Sequence, residues 1–389
     1  MVELFRIELL TTQDVLFPGQ KVNGRCILRT REPIKARAVI LYVVGKAQVE
    51  WIVHRTNHHD DGHDSEHDDW YRGEVVYLSQ EFAVWLPPIP LLNYIAPGMY
   101  EWPFTFVLPI NCPPSFEGAH GYIRYWAHAK VDRPWHVDDT TRAFFTVMPM
   151  FDLNMVPYAS SPVNRQFTES INVCCCYSKG RIAVNASINK AGFAPGETML
   201  IRVEITNGSK KNVCEVEGSF MQSIRNHGQH GCHWDTRMEC YCLQRYIDPF
   251  PVGPGMTRIH EHAIHVPPIM PSIGSNICSI IQVSYSIQIR IVISSAFIDE
   301  IKCELPILVG TIPANEIRNP VAAPVLAQMQ LPAPLIMNEG DIDKRQLNFV
   351  DATIHNDVQK ARNDKEITGT GYAPKYVYYD NRPQTNQRK

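Results

Sequence analysis

Leu16-Phe17-Pro18-Gly19-Gln20 and Phe193-Ala194-Pro195-Gly196-Glu197 are two spellings of one phrase, and their recurrence decides the fold. The first leads into the alternating run Val22, Gly24, Cys26, Leu28, and the second into Met199, Ile201, Val203, Ile205. Proline presets φ and the following glycine admits positive φ, so each phrase reads as a tight turn opening a strand. The repeat extends downstream. Pro109, Pro113, Pro114 and Ser115 precede an alternating segment from Tyr122 to Val131, and Pro267, Pro268, Pro271 and Ser272 precede another from Ile277 to Ser294. A unit repeated after about 150 to 180 residues is a domain duplication rather than a short solenoid repeat.

Alternation of apolar and polar residues recurs almost everywhere up to about residue 310. Ile182, Val184, Ala186 and Ile188 oppose Ala183, Asn185, Ser187 and Asn189; Ile123, Tyr125, Ala127, Ala129 and Val131 oppose Arg124, His128, Lys130 and Asp132. Period two puts one face on a core and the other in water, as the sheets of a sandwich do. The most apolar stretch, Ile277 to Ile298, alternates Ile281, Val283, Tyr285, Ile287, Ile289, Ile291 and Ile293 with Gln282, Ser284, Ser286, Gln288 and Arg290, which is a half-buried strand and not a bilayer helix. No stretch of comparable length has a 3.6-residue period.

These patterns predict an all-β chain of two tandem immunoglobulin-like sandwiches: residues 1–150, a linker at 151–170 around Pro157 and Pro162, and residues 171–310. From 311 to 389 the composition turns to scattered prolines and charge runs, which predicts a largely disordered, flexible tail. Two patches in it, 323–336 and Tyr372 to Tyr379, are rich enough in apolar or aromatic residues to dock.

The 389 residues suffice for two self-supporting cores, and 29 prolines with 22 glycines suit short strands between many turns. A net charge of −3 gives no general attraction to nucleic acid or anionic lipid. Glu3, Arg6 and Glu8 interrupt the first ten residues, so no secretory leader is expected there, and 11 cysteines, an odd number, fit a reduced cytoplasmic compartment.

Glu101-Trp102-Pro103-Phe104-Thr105-Phe106 through Leu108-Pro109, then Pro113-Pro114-Ser115-Phe116-Glu117-Gly118 and Gly121-Tyr122-Ile123-Arg124-Tyr125, closely resembles the first domain of arrestin-domain-containing proteins, the α-arrestin family. Gly180, Gly192-Phe193, Pro195-Gly196-Glu197 and Ile205-Thr206-Asn207-Gly208-Ser209 resemble the arrestin C-terminal domain. The resemblance covers about residues 3–310. It implies a non-catalytic cytoplasmic adaptor, recruited to plasma membrane and endosomes, that binds cytoplasmic regions of membrane receptors or transporters and steers their endocytosis. Its membrane association would be peripheral, through cargo. Relatives recruit HECT-type ubiquitin ligases through Pro-Pro-x-Tyr. Here the nearest match is Ala373-Pro374-Lys375-Tyr376, so Pro374 and Tyr376 are the candidate partner-binding residues and ligase recruitment is expected to be weak or indirect.

Physical roles stand beside the resemblance. Trp102, Phe104 and Phe106 share one strand face and can place three aromatics, about 150 to 250 Å² each, towards the core. Pro103 removes a ladder donor and belongs on an edge. Both roles are scaffold roles.

Two clusters could carry metal chemistry. Imidazole and carboxylate ligands crowd His58 to Asp69, with His59, His63 and His67 spaced by four, but that spacing converges only on a helix and Gly62 argues for a loop. Cys232, Cys240 and Cys242, with His227, His230 and His233, lack the Cys-x-x-Cys knuckle and read first as a hairpin. Cys174-Cys175-Cys176 reads as buried thiols, with S-acylation or oxidation as the other readings. No phosphate-binding Gly-rich loop, Gly-x-Ser-x-Gly or His-Glu-x-x-His occurs, and His260, Glu261 and His262 alternate faces on a strand. No catalytic residue and no cofactor are expected. The alternatives are a metal-dependent enzyme built on the histidine-rich loops and a purely structural interaction protein.

Overall fold

The computed structural model describes residues 2–11, 15–58, 64–88, 93–172, 178–294, 299–315, 331–336, 347–352 and 372–379. The first sandwich contains β1 (Val2–Leu9), β2 (Val15–Leu16), β3 (Lys21–Thr30), β4 (Ile34–Lys35), β5 (Ala38–His58), β6 (Asp64–Trp85), β7 (Tyr94–Ile95), β8 (Gly98–Val107), β9 (Phe116–Glu117), β10 (Gly121–Asp132) and β11 (Asp139–Val147). The second contains β12 (Val163–Asn172), β13 (Ser178–Ile188), β14 (Gly192–Phe193), β15 (Thr198–Ser209), β16 (Val213–His230), β17 (His233–Val252), β18 (Thr257–His265), β19 (Ile281–Ile293) and β20 (Asp299–Val309). A short 3₁₀ turn, Leu153–Met155, lies between them, and β21 (Asn348–Asp351) pairs with β22 (Lys375–Tyr378) beyond them.

Each sandwich sets a smaller sheet against a larger one. β1-β3-β8 faces β6-β5-β10-β11-β2 in the first, and β12-β13-β15-β18 faces β14-β20-β19-β16 in the second, with β17 added to β16. The larger sheets are continuous, because Gln229 of β16 pairs with Arg72 of β6. Phe104 and Phe106 point inward as the alternation requires, and Phe106 meets Phe145, which in turn meets Tyr125, at ring separations of 5.9 and 6.1 Å. Trp102 is only half-buried and stacks on Tyr100. Pro103 sits on β8, an edge strand, where its missing N–H costs no ladder bond. β19 has the period-two burial read from its sequence.

The repeated phrase has one structure in both copies. Gly19, at φ 81°, donates from its N–H to Leu108 O at 2.9 Å, and Leu108 N returns a bond to Gln20 O at 3.0 Å. Gly196, at φ 95°, donates to Val266 O at 2.8 Å, and Val266 N returns to Glu197 O at 2.9 Å. The fifth residue closes the turn with its side chain: Phe17 N donates to Gln20 Oε1 and Ala194 N to Glu197 Oε2. The strand before each turn pairs in parallel with the last strand of its sandwich, Leu16 with Val147 and Phe193 with Val309.

One boundary is corrected. The linker expected at 151–170 stops short of Val163: Val163–Asn172 is the outer strand of the second sandwich, paired along β13 from Val163↔Ile188. From 163 to 171, Val163, Phe167 and Ile171 turn even partly inward and the others are exposed, so this edge strand leaves little alternation to read. Within 311–389, the described segments 331–336, 347–352 and 372–379 lie against the sandwiches; the first and last fall in the two patches expected to dock, while 347–352 falls in neither. Among the described residues, no helix is long and apolar enough to cross a membrane.

Candidate interaction site: the seam between the sandwiches

The Pro-Ser clusters that recur in the sequence line the seam where the domains meet. Ser115 donates its N–H to Val147 O and accepts from Val147 N on its Oγ; Ser272 makes the same pair of bonds with Val309. Beside each serine, a buried tyrosine hydroxyl donates to a backbone carbonyl: Tyr125 to Pro113 O at 2.7 Å, and Tyr285 to Met270 O at 2.9 Å. Burial pushes both phenols up and keeps them neutral donors. These bonds fix two rigid ledges, one from each domain.

Next to the first ledge lies a buried ion pair. Arg124 grips Glu117 through Nε and Nη2 at 2.8 and 2.9 Å, both side chains almost wholly enclosed, and its guanidinium lies over the Tyr122 ring at 3.6 Å. Bidentate geometry and the ring face offset the desolvation of both charges.

The tail strand crosses the seam and bonds to both sides. Towards the first domain, Tyr376 donates its hydroxyl to Ser115 O at 3.3 Å, Lys375 N donates to Thr146 Oγ1 at 3.3 Å, and Tyr372 donates to Phe145 O at 3.4 Å while stacking on Phe144. Towards the second, Tyr379 donates from N to Pro195 O at 3.1 Å and from its hydroxyl to Thr311 O at 2.8 Å. Gly196 permits that approach, since a Cβ there would land on the Tyr379 carbonyl. Burial pushes the Tyr372 phenol up to about 12 and the Tyr376 phenol well above its ordinary range, so both hydroxyls donate at neutral pH. Ala352 N donates to Pro374 O, Phe349 meets Phe17, and Leu335 N reaches Met150 O. Under the strand a cavity of about 240 Å³ remains, walled by Phe116, Ile224, Leu243, Met270 and Tyr376.

The candidate partner-binding residues are therefore inside the molecule. Tyr376 is buried, and Pro374 lines the same cavity. Sequence reasoning found the aromatic cluster but not its receptor, because the seam is assembled from residues more than 60 positions away from it.

Among the described residues, the metal candidates do not assemble. His59 and His63 lie outside the described residues. His67 Nε2 is 3.6 Å from Asp69 Oδ1, Cys232 stands exposed in the β16–β17 turn, Cys240 contacts Ser223, and Cys242 contacts Gln244 O. Among the described residues, no three His, Cys, Asp or Glu side chains are arranged to hold a metal ion. Cys174 to Cys176 also lie outside the described residues. His260 and His262 share Asp248, while Glu261 pairs with Arg202 on the opposite face, as strand alternation requires.

Two successive sandwiches, joined edge to edge through their larger sheets and carrying duplicated Pro-Gly and Pro-Ser turns, define an arrestin fold. Residues 5–154 match the family described as "Arrestin (or S-antigen), N-terminal domain" and residues 178–314 the corresponding C-terminal domain. Among curated proteins, arrestin domain-containing protein 17 of Caenorhabditis elegans is 26% identical over 80% of this chain and 72% of its own length. Arrestin domain-containing protein 4 is 28% identical in Mus musculus, over 76% of this chain, and 27% identical in Homo sapiens; both are covered over 68% of their length. The chain belongs to the arrestin-domain-containing proteins, the α-arrestin family.

Proposed function

We propose that this chain is a non-catalytic adaptor that binds cytoplasmic regions of membrane receptors or transporters and directs their endocytic sorting. The observation carrying this reading is the presence of both arrestin domains, in order, over most of the chain, with a seam between them built as an extended-segment receptor. Backbone carbonyls at Ser115, Pro195 and Thr311 accept from a strand lying across them, which is a means of holding any extended aromatic segment. A cytoplasmic site, with recruitment to plasma membrane and endosomes through cargo, goes with that reading. Recruitment of a HECT-type ubiquitin ligase through Pro374 and Tyr376 requires the tail strand to leave the seam first, because the tyrosine that a WW domain would read is buried there.

The test is crosslinking of the tagged full chain in cells, followed by identification of co-purifying proteins, beside a Tyr376→Ala variant. Enrichment of membrane receptors or transporters is expected, and the variant should shift their yield. Recovery of soluble proteins alone, in both forms, would contradict the adaptor reading.

A further inference from the structure

β17 pairs with β16 alone, so its other edge carries no strand. Among the described residues, no backbone bond from outside the hairpin reaches 233–242. The register against β16 is unbroken from His230↔His233 to Met221↔Cys242, and the bulge of β17 comes only after Cys242. A long, regular, unpaired edge is a template for a further strand. Its open end is also bare: His233 to Met238 are all exposed, with Trp234 at 64% and Met238 at 53%.

The residues along this edge complement themselves. Trp234, Thr236 and Met238 share one face of the strand, opposite Gln229, His227 and Arg225, and Asp235 and Arg237 share the other. Among the described residues, Asp235 accepts from its neighbour Thr236 N, and neither it nor Arg237 is in an ion pair. Two identical strands can pair antiparallel about a twofold axis normal to the sheet, which keeps each face on its own side. An axis at Thr236 sets Asp235 against Arg237 and Trp234 against Met238, each twice. Both charges then meet an opposite charge, and the two exposed apolar side chains meet each other. An axis one residue to either side sets Asp235 or Arg237 against itself, which destabilises the pair. An axis at Met238 matches Arg237 with Glu239, but Glu239 already accepts from Asn226 Nδ2 at 2.8 Å and from the Tyr241 hydroxyl at 2.6 Å.

We propose that the open edge of β17 is a homodimer surface, occupied by β17 of a second copy in antiparallel register about Thr236. The backbone of 233–239 supplies the ladder, and the Asp235–Arg237 and Trp234–Met238 pairs set its register. The large sheet that already passes through both sandwiches of one molecule then continues into the second. An interface confined to one strand end is small, so the dimer is weak and reversible, with Kd about 10 to 100 µM. None of these side chains bonds to the tail strand in the seam, so dimerisation and the adaptor reading stand or fall separately.

Sedimentation velocity of the full chain, from about 1 to 200 µM so as to bracket that constant, tests this. A reductant is kept present, because Cys232, Cys240 and Cys242 stand exposed beside the edge. The native chain should pass from monomer to dimer across the range. Asp235→Arg and Arg237→Asp each set like charges against one another twice, and each should weaken self-association at least about tenfold. Both positions are exposed, so the melting of each variant by circular dichroism should match that of the native chain. Mixed in equal amounts, the two variants face each other with opposite charges at both contacts, and the mixture should form a heterodimer about as tightly as the native chain pairs with itself. A native chain that stays monomeric throughout would overturn the proposal. So would a dimer indifferent to both reversals, or reversals that abolish it without rescue on mixing.

Discussion

Ser115 and Ser272 do the same work in two places, and both were legible as a repeated Pro-Ser motif although their bonds were not. Each accepts on its hydroxyl from a buried backbone N–H, that of Val147 or of Val309. Replacing either by alanine should cost about 1 to 3 kcal/mol in urea denaturation, and the two costs should be similar. Glu117 and Arg124 are a sterner case. Arg124→Leu strands a buried carboxylate and should cost about 3 to 5 kcal/mol, whereas the double change Glu117→Gln with Arg124→Met should recover much of that loss. Cysteine chemistry divides by burial. Burial pushes the Cys26 and Cys112 thiols up to about 12 and Cys303 up to about 11, while Cys214, Cys232, Cys240 and Cys242 are exposed. Among these described cysteines, mass spectrometry after brief alkylation at neutral pH should find the four exposed residues modified before the three buried ones, which resist until the chain unfolds.

Elements were legible in proportion to how one-sided their burial is. β19 announces itself because its odd-numbered residues from Ile281 to Ile293 are buried between neighbours on both sides; β12 does not, because it is an outer strand on which, from 163 to 171, three residues turn inward. β22 was visible as an aromatic cluster and invisible as a strand. Its partners are β21 and carbonyls of two distant domains, so neither period nor spacing could reveal them. Under the proposed adaptor reading, any recruitment of a ligase by this segment would be limited twice, once by docking and once by Ala373 standing where Pro-Pro-x-Tyr has proline. Removing one packed proline contact weakens binding by about 1 to 3 kcal/mol, roughly ten- to two-hundred-fold. A peptide of residues 369–382 should therefore bind WW domains of a HECT-type ligase weakly, and Ala373→Pro should strengthen it by a comparable factor in a calorimetric titration. Tight binding by the unaltered peptide would remove that explanation.

At the scale of the molecule, the duplication was readable from two five-residue phrases, but the joining of the copies was not. A single β16–β6 pairing and the packing of Gly228 on Trp51 make one sheet pass through both sandwiches. A side chain at 228 would strike the Trp51 ring, so Gly228→Val should uncouple the halves. Scanning calorimetry is expected to show one cooperative transition for the native chain and two resolved transitions for the variant. A single transition at unchanged temperature would show that the junction carries little of the coupling. The tail strand adds an order of events to this architecture. Tyr372 to Tyr379 follows both sandwiches in the chain, so a ribosome delivers it after the ledges at Ser115 and Ser272 can already have formed. Every newly made molecule therefore passes through an interval with its seam uncovered, and the first occupant of that seam need not be its own tail.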